Sequence, residues 1–306
     1  MQCLEQLGLF FPGSRIGIML VHGLGGTPVE MKTVAKRLNK YGFSVLCPLL
    51  AGHCSIESDL IATTWNDWTA SVETAHDRMA EHLDVIFVGG LSAGAILSLH
   101  TAQHKPDGVR GLALYSTTLR WDGWSIPKLA FLLPLVLRLP YFGKRYRFEE
   151  VYPYGLMNEK LRNRIHAQMQ SGDSSAAGLS STPGTSLREL WRLVDIVKKD
   201  LPNLFTPTLL VHARNDDIAH LRNSVYVQRH LGGPAELLLL EHSYHMITVD
   251  QERNTVCDAT AVYFHNMLNE TEKKELARHA QAVVPECMPE SRANSDAYTA
   301  CSRSAA

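Results

Sequence analysis

Val85-Ile86-Phe87-Val88-Gly89 runs directly into Gly90-Leu91-Ser92-Ala93-Gly94, and a run of small and apolar residues continues from Ala93 to Ala102. The order reads as a buried strand, a sharp turn and a helix. A turn that tight leaves no room for side chains at its flanks, so Gly90 and Gly94 keep strand and helix atoms from colliding. The hydroxyl of Ser92 is then held out at the top of a sheet, the geometry of a nucleophile elbow. The pentapeptide alone is a common kind of turn. Its weight comes from what stands on either side of it in the chain.

Upstream, Ile16 to Val21 is a buried strand that leads into His22-Gly23-Leu24-Gly25-Gly26. A helix over residues 28–40 follows, with Thr27 as its cap and Pro28 at its first position. Gly42-Phe43-Ser44-Val45-Leu46 is the next strand and ends at Pro48. Trp65, Trp68, Val72, Ala75, Met79 and Leu83 recur at three- and four-residue steps, which predicts a helix with one buried stripe. Downstream, Leu112 to Tyr115, Thr208 to His212 and Glu236 to Leu240 are further strands, and a closing helix covers about Arg253 to Leu268. Apolar strands alternating with amphipathic helices predict a mostly parallel sheet with helices on both faces.

The alternation breaks between Thr117 and Asn203. Leu129 to Phe142 is apolar but interrupted by Pro134 and Pro140, and a loop of small residues runs from Ser171 to Thr185. Ser186-Leu187-Arg188-Glu189 then reads as the capping box of a helix whose buried stripe is Leu187, Leu190, Trp191, Val194 and Leu201. The expected organisation is therefore a core formed by residues 1–116 and 204–269, with a helical cap or lid inserted over 117–203. The composition of 270–306 predicts a mostly disordered tail.

Bulk composition excludes several classes of function. The chain has 306 residues, 45% hydrophobic and 20% charged, with a net charge of −1. That balance argues against nucleic acid as a partner, which calls for a concentrated basic surface. Met1 to Pro12 has no basic region before its short apolar patch, so no secretory signal is expected. No apolar run reaches the ~20 residues of a membrane-spanning helix. The six cysteines (Cys3, Cys47, Cys54, Cys257, Cys287 and Cys301) lack C-x-x-C spacing and read as reduced thiols of a cytoplasmic protein. Cys47 and Cys54 are expected to be unpaired.

A serine hydroxyl needs a base, usually histidine, and a third group that fixes the base. Such partners follow the serine in the order carboxylate, then histidine, each in a loop just beyond a core strand. Thr208 to His212 is followed by Ala213-Arg214-Asn215-Asp216-Asp217, and Leu237 to Leu240 by Glu241-His242-Ser243-Tyr244-His245. Position favours Asp216 and His245 and leaves Asp217 and His242 open. The reaction also needs two backbone N–H groups aimed at the developing oxyanion. Ala93, after the nucleophile, supplies one, and Leu24 in the glycine-rich loop is the candidate for the other. A phosphate-binding role for that loop fails, because its spacing fits neither G-x-G-x-x-G nor a P-loop. The remaining histidines, including His22, His53 and His212, read as structural, with His22 ordering the oxyanion loop. No pair among them shows metal spacing, and neither metal nor organic cofactor is implied.

The chain resembles the α/β-hydrolases, in particular bacterial carboxylesterases and monoacylglycerol lipases with a small cap. The resemblance rests on His22 to Pro28, Pro48 to His53, Trp65 to Trp68, Gly90 to Gly94, Pro207 to Asp217 and Ser243 to Asp250. It spans roughly Ile16 to Leu268 and is weakest in the inserted segment. It implies Ser92 as nucleophile, Asp216 as acid, His245 as base, and Leu24 and Ala93 as oxyanion donors. Tyr244 stands where the family often has glycine, as does Ala95 after the pentapeptide. Neither change removes a catalytic group.

The expected activity is cleavage of small-molecule carboxylic esters through an acyl-enzyme. Two alternatives are a thioesterase or acyltransferase using the same three residues, and a non-catalytic ligand-binding relative, which would tend to lose one of them. Leu129 to Phe142, with Arg138 inside it and Lys144, Arg145 and Arg147 beyond, mostly packs the cap and in part suits an acyl chain or a transient lipid-surface contact. The oligomeric state is not encoded legibly.

Overall fold

The computed structural model describes residues 2–137, 145–149, 152–170, 179 and 181–289. A short helix α1 (Gln2–Glu5) precedes β1 (Gly8–Phe11) and β2 (Ile16–Val21). Then follow α2 (Lys32–Lys40), β3 (Ser44–Pro48), α3 (Glu57–Ala62), α4 (Trp65–Ala80), β4 (Val85–Leu91), α5 (Ala93–His104) and β5 (Leu112–Tyr115). The intervening segment carries α6 (Leu133–Val136), β6 (Arg147–Glu149), α7 (Glu159–Gln170), β7 (Ser181–Pro183) and α8 (Gly184–Asp200). The chain closes with β8 (Thr208–Ala213), α9 (Arg222–His230), β9 (Ala235–Leu240), α10 (Arg253–Asn266) and α11 (Glu270–His279).

Seven strands form one sheet in the order β1-β3-β2-β4-β5-β8-β9. All neighbours are parallel except β1, which runs antiparallel to β3 at the edge. The strand period of two divides the buried residues between two cores. Met19, Val21, Ile86 and Val88 face the side covered by α4, α5 and α8, and Ile16, Ile18, Leu20 and Phe87 face the side of α2 and α10. Both faces are covered, which is why the strands read as continuous apolar runs rather than as alternating ones. Among the described residues no helix is long and apolar enough to cross a membrane, and the cysteines described are all unpaired.

Three local expectations change. The N-terminal apolar patch is strand β1, paired through Gly8–Phe11 with Val45–Pro48. The helix expected to start with a capping box at Ser186 starts at Gly184, because the β6–β7 hairpin delivers the chain there and Gly184 N donates to Tyr146 O at 2.9 Å. Ser186 is therefore inside α8, and its hydroxyl makes no hydrogen bond. The stretch from Glu270 opens with α11 rather than as disordered chain. Asn269 and Glu272 form its capping box, and Leu276 is buried in the core beside α2. Residues 290–306 lie outside the described residues.

Candidate active site

β4 ends at Leu91 and α5 begins at Ala93, which leaves Ser92 alone in the turn with φ 57° and ψ −113°. That combination lies outside the usual regions for a residue with a side chain and stores about 1–3 kcal/mol. A Cβ on Gly90 would stand 2.3 Å from the Gly94 carbonyl carbon, and one on Gly94 2.2 Å from Val21 O. Glycine at both flanks is thus a steric necessity. Ala93 lies in the first turn of α5, where backbone N–H groups have no acceptor within the helix.

The glycine-rich loop after β2 lies against this turn. A Cβ added at Gly23 would stand in van der Waals contact with the Ser92 Cβ, 3.8 Å away, and Leu24 is the next residue of the loop. Gly25 has φ +72°, a conformation that side chains resist. Two groups hold the loop. The Glu30 carboxylate accepts from Gly23 N at 3.2 Å, and His22 Nδ1 donates to Gly23 O at 2.9 Å. His22 Nε2 accepts from Leu50 N at 3.4 Å, which fixes that tautomer. Burial, with a contribution from His53, lowers the His22 pKa to about 3, so the ring stays a neutral strut.

The two loops beyond β8 and β9 meet. His245 Nδ1 lies 3.0 and 2.9 Å from the two carboxylate oxygens of Asp216, both residues being buried. A carboxylate only accepts, so Nδ1 carries the hydrogen and Nε2 the lone pair. Asp216 also accepts from Ile218 N and Ala219 N at 2.9 and 2.8 Å, and His212 Nε2 lies 3.3 Å away. Burial alone would raise its pKa. The surrounding imidazoles and backbone donors outweigh that and hold the carboxyl below the usual range. An ionised acid is thus kept beneath the ring.

The end of β5 joins the serine to the histidine. Ser92 N donates to Tyr115 O at 2.9 Å, and the next residue, Ser116, donates its hydroxyl to His245 O at 2.7 Å. Thr118 Oγ1 donates to Ser116 O at 2.9 Å and lies 3.1 Å from Ser92 Oγ. A hydroxyl has one hydrogen, so across that second contact Ser92 is the donor. Both backbones are therefore hung from consecutive residues of one strand end.

Of the residues singled out in the sequence, Asp216 and His245 are in contact, Ala93 follows Ser92 at the start of α5, and Leu24 follows Gly23 in the loop after β2. Asp217 and His242 are not ring partners. Asp217 accepts from His245 N at 3.2 Å and from Gly155 N at 3.0 Å, and burial raises its pKa. His242 is exposed, with its N–H on Glu252 at 2.7 Å. Tyr244 packs its ring on Trp124, 5.5 Å between centroids, beyond the end of β5. Sequence reasoning missed Ser116, Thr118, Glu30 and Asp217 as supports. Asp250 is another, its carboxylate accepting from Tyr244 N, Met157 N and Asn158 N at 2.8 to 2.9 Å. Nothing in spacing distinguishes such residues from ordinary polar loop positions.

A strained serine at the end of a central parallel strand, with an acid and a histidine in the loops after later strands, is the architecture of an α/β-hydrolase. The family model described as serine aminopeptidase, S33, matches residues 14–252. The chain belongs to that family. It is 28% identical over 250 residues to the thermostable monoacylglycerol lipase of Bacillus sp. (strain H-257), covering 81% of this chain and 90% of the relative. It is 22% identical over 248 residues to a carboxylesterase of Bacillus subtilis (strain 168), covering 80% and 91%. The solved structure reported for LipS and LipT, two metagenome-derived lipolytic enzymes, matches with a TM-score of 0.70 at 25% identity, over 84% of this chain and 96% of that one. The monoacylglycerol lipase of Paleococcus ferrophilus shares the fold with a TM-score of 0.66 at 19% identity, over 89% and 98%.

Proposed function

We propose that this protein cleaves carboxylic esters through an acyl-enzyme on Ser92, with fatty acyl esters, including monoacylglycerols, as substrates. The observation that carries the reading is the buried Asp216–His245 pair, hung from the same strand end as a serine in a strained elbow. The lipase and carboxylesterase relatives support an ester rather than a peptide as substrate.

In this reading His245 Nε2 takes the proton of Ser92 as Oγ bonds to the ester carbonyl carbon. The negative charge that moves onto the carbonyl oxygen is met by the N–H groups of Leu24 and Ala93. Collapse of the tetrahedral species breaks the bond to the alcohol, which leaves with the proton from His245. Water then adds to the acyl carbon and gives a proton to His245. The acid departs as Ser92 Oγ recovers that proton. Asp216 holds the ring and stabilises its cationic form throughout.

The segment between β5 and β8 serves as the cap. Its Leu129, Phe131, Leu132 and Leu135 stand exposed, which supports contact with a lipid surface. Of the basic residues near them, Arg145 is exposed and Arg147 half-buried, while Arg138 and Lys144 lie outside the described residues. The unpaired cysteines support a cytoplasmic location.

The test is a graded series of nitrophenyl acyl esters, monoacylglycerols and acyl thioesters with the protein and its Ser92→Ala variant, alongside fluorophosphonate labelling. Ester turnover and labelling that both vanish in the variant are expected. Full turnover by Ser92→Ala, or no adduct on the unaltered protein, overturns the proposal. Product carried mainly to added alcohols or thiols rather than to water would make the protein an acyltransferase.

A further inference from the structure

His100 and His104 stand one turn apart on α5, beside Glu73 of α4. Side chains four residues apart lie one above the other on a helix. Each of the three side chains offers one ligand atom, and these atoms lie within 4.8 Å of one another. His100 is only 4% exposed, and its Nδ1 makes no hydrogen bond although it points at Glu73 Oε1, 3.6 Å away. A buried ring nitrogen without a partner is costly unless something occupies its lone pair. His104 is set up in a complementary way. Its Nδ1 donates to His100 O at 2.9 Å, which leaves Nε2 with the free lone pair.

The geometry points to a divalent transition-metal site formed by Glu73, His100 and His104, distinct from the elbow at the other end of α5. Two imidazoles and a carboxylate suit Zn2+, Co2+, Ni2+ or Cu2+, whereas Mg2+ and Ca2+ prefer oxygen donors. Tetrahedral ligands at about 2.0–2.1 Å stand about 3.4 Å apart, so the set must contract. The two outer members can do this, since His104 is exposed and the Glu73 side chain is 34% exposed. The carbonyl end of α5 favours positive charge there. An ion in this position clips α4 to the helix that carries the elbow and takes no part in ester chemistry.

Calorimetric titration of the full chain, freed of metal by EDTA, with Zn2+ alone tests the assignment. One Zn2+ per chain and a raised melting temperature are expected, with no response to Mg2+. His104→Ala and Glu73→Gln should lose both the saturable heat and the thermal shift, and keep metal-free ester turnover. No saturable Zn2+ binding by the unaltered chain overturns the site. So does binding that persists in His104→Ala, including Zn2+ that inhibits both proteins equally, which would place the ion on the Asp216–His245 pair.

Discussion

Asp216 and Asp217 are consecutive in the chain and hold the same histidine by different ends. Asp216 takes the imidazole Nδ1–H of His245 at 2.9 Å, and Asp217 takes the backbone N–H at 3.2 Å. The other oxygen of Asp217 accepts from Gly155 N, so it also fastens the segment after β5 to the histidine loop. One carboxylate sets the chemistry of the ring and the other sets where the ring is.

The two asparagine variants should therefore separate. Asp216→Asn keeps an acceptor for the neighbouring backbone N–H groups but presents the wrong tautomer preference to the ring. It should lower kcat by roughly 10⁴-fold. Asp217→Asn leaves the pair intact and loses an acceptor for one of two buried N–H groups, costing about 1–3 kcal/mol of stability. Its kcat should stay within about tenfold. Paired measurements of turnover and denaturant unfolding decide it, and an Asp217→Asn protein as inactive as Asp216→Asn would reverse the assignment.

Gly155 gives a second handle on the same contact. Its φ is +69°, and a Cβ there would come 2.8 Å from Met246 Cγ and 3.2 Å from His245 Cβ. Its carbonyl meanwhile accepts from Met246 N at 2.8 Å. The methionine side chain can turn away, but the histidine Cβ cannot move without its ring. Gly155→Ala should cost more than about 1 kcal/mol of stability and lower kcat about tenfold, since small displacements of a catalytic group are expensive. Fluorophosphonate labelling should slow in proportion. Labelling at the unaltered rate would show that the loop absorbs the extra methyl.

How much of this was legible in the sequence follows from what each element depends on. β2, β4 and the elbow could be read because burial on both faces leaves an uninterrupted apolar run, and because Gly90 and Gly94 are forced by local sterics. β1 is four half-buried residues whose strand character comes from pairing with β3, which no local pattern announces. The start of α8 is set by the β6–β7 hairpin, so a good capping box at Ser186 was overridden from outside the segment. α11 buries only Leu276, too little to give a periodic signal. At the site, chain order pointed to Ser92 in the turn and to Asp216 and His245, the two that the structure brings into contact. Asp217, Ser116 and Thr118 act through hydrogen bonds to distant backbone and could not be read from spacing.

The buried histidines fix the sign of the acid response. Burial lowers the pKa of His22 to about 3 and of His53 to about 4, against about 6.5 in the unfolded chain. Between those values the unfolded chain takes up protons that the folded one refuses. Stability is therefore full above pH ~6.5 and falls as the pH drops towards ~4, by at most about 1.4 kcal/mol per pH unit for each ring. Asp216, depressed in the fold, adds its own loss at still lower pH. Guanidinium unfolding across this window should give a shallower pH slope for His53→Gln than for the unaltered protein. Equal slopes would mean that His53 is protonated without penalty.

Phe131 and Leu135 are 73% and 66% exposed on the segment after β5, with Leu129 beside them in sequence at 70%. Exposure of this kind is disfavoured in water and gains about 1.5–3 kcal/mol per side chain once it enters an apolar phase. Replacing both with serine removes that gain without disturbing the buried Leu137 that follows. The Phe131→Ser, Leu135→Ser protein should thus cleave long-chain monoacylglycerols presented on vesicles at least about tenfold more slowly. Its turnover of a short, fully dissolved nitrophenyl ester should be unchanged, because both side chains stand exposed whereas Asp216 and His245 are buried. The contrast between the two substrates is what identifies a surface effect. An equal fall on both would mean that these side chains shape the acyl site instead, and an equal rate on both would leave the exposed apolar face without a lipid to meet.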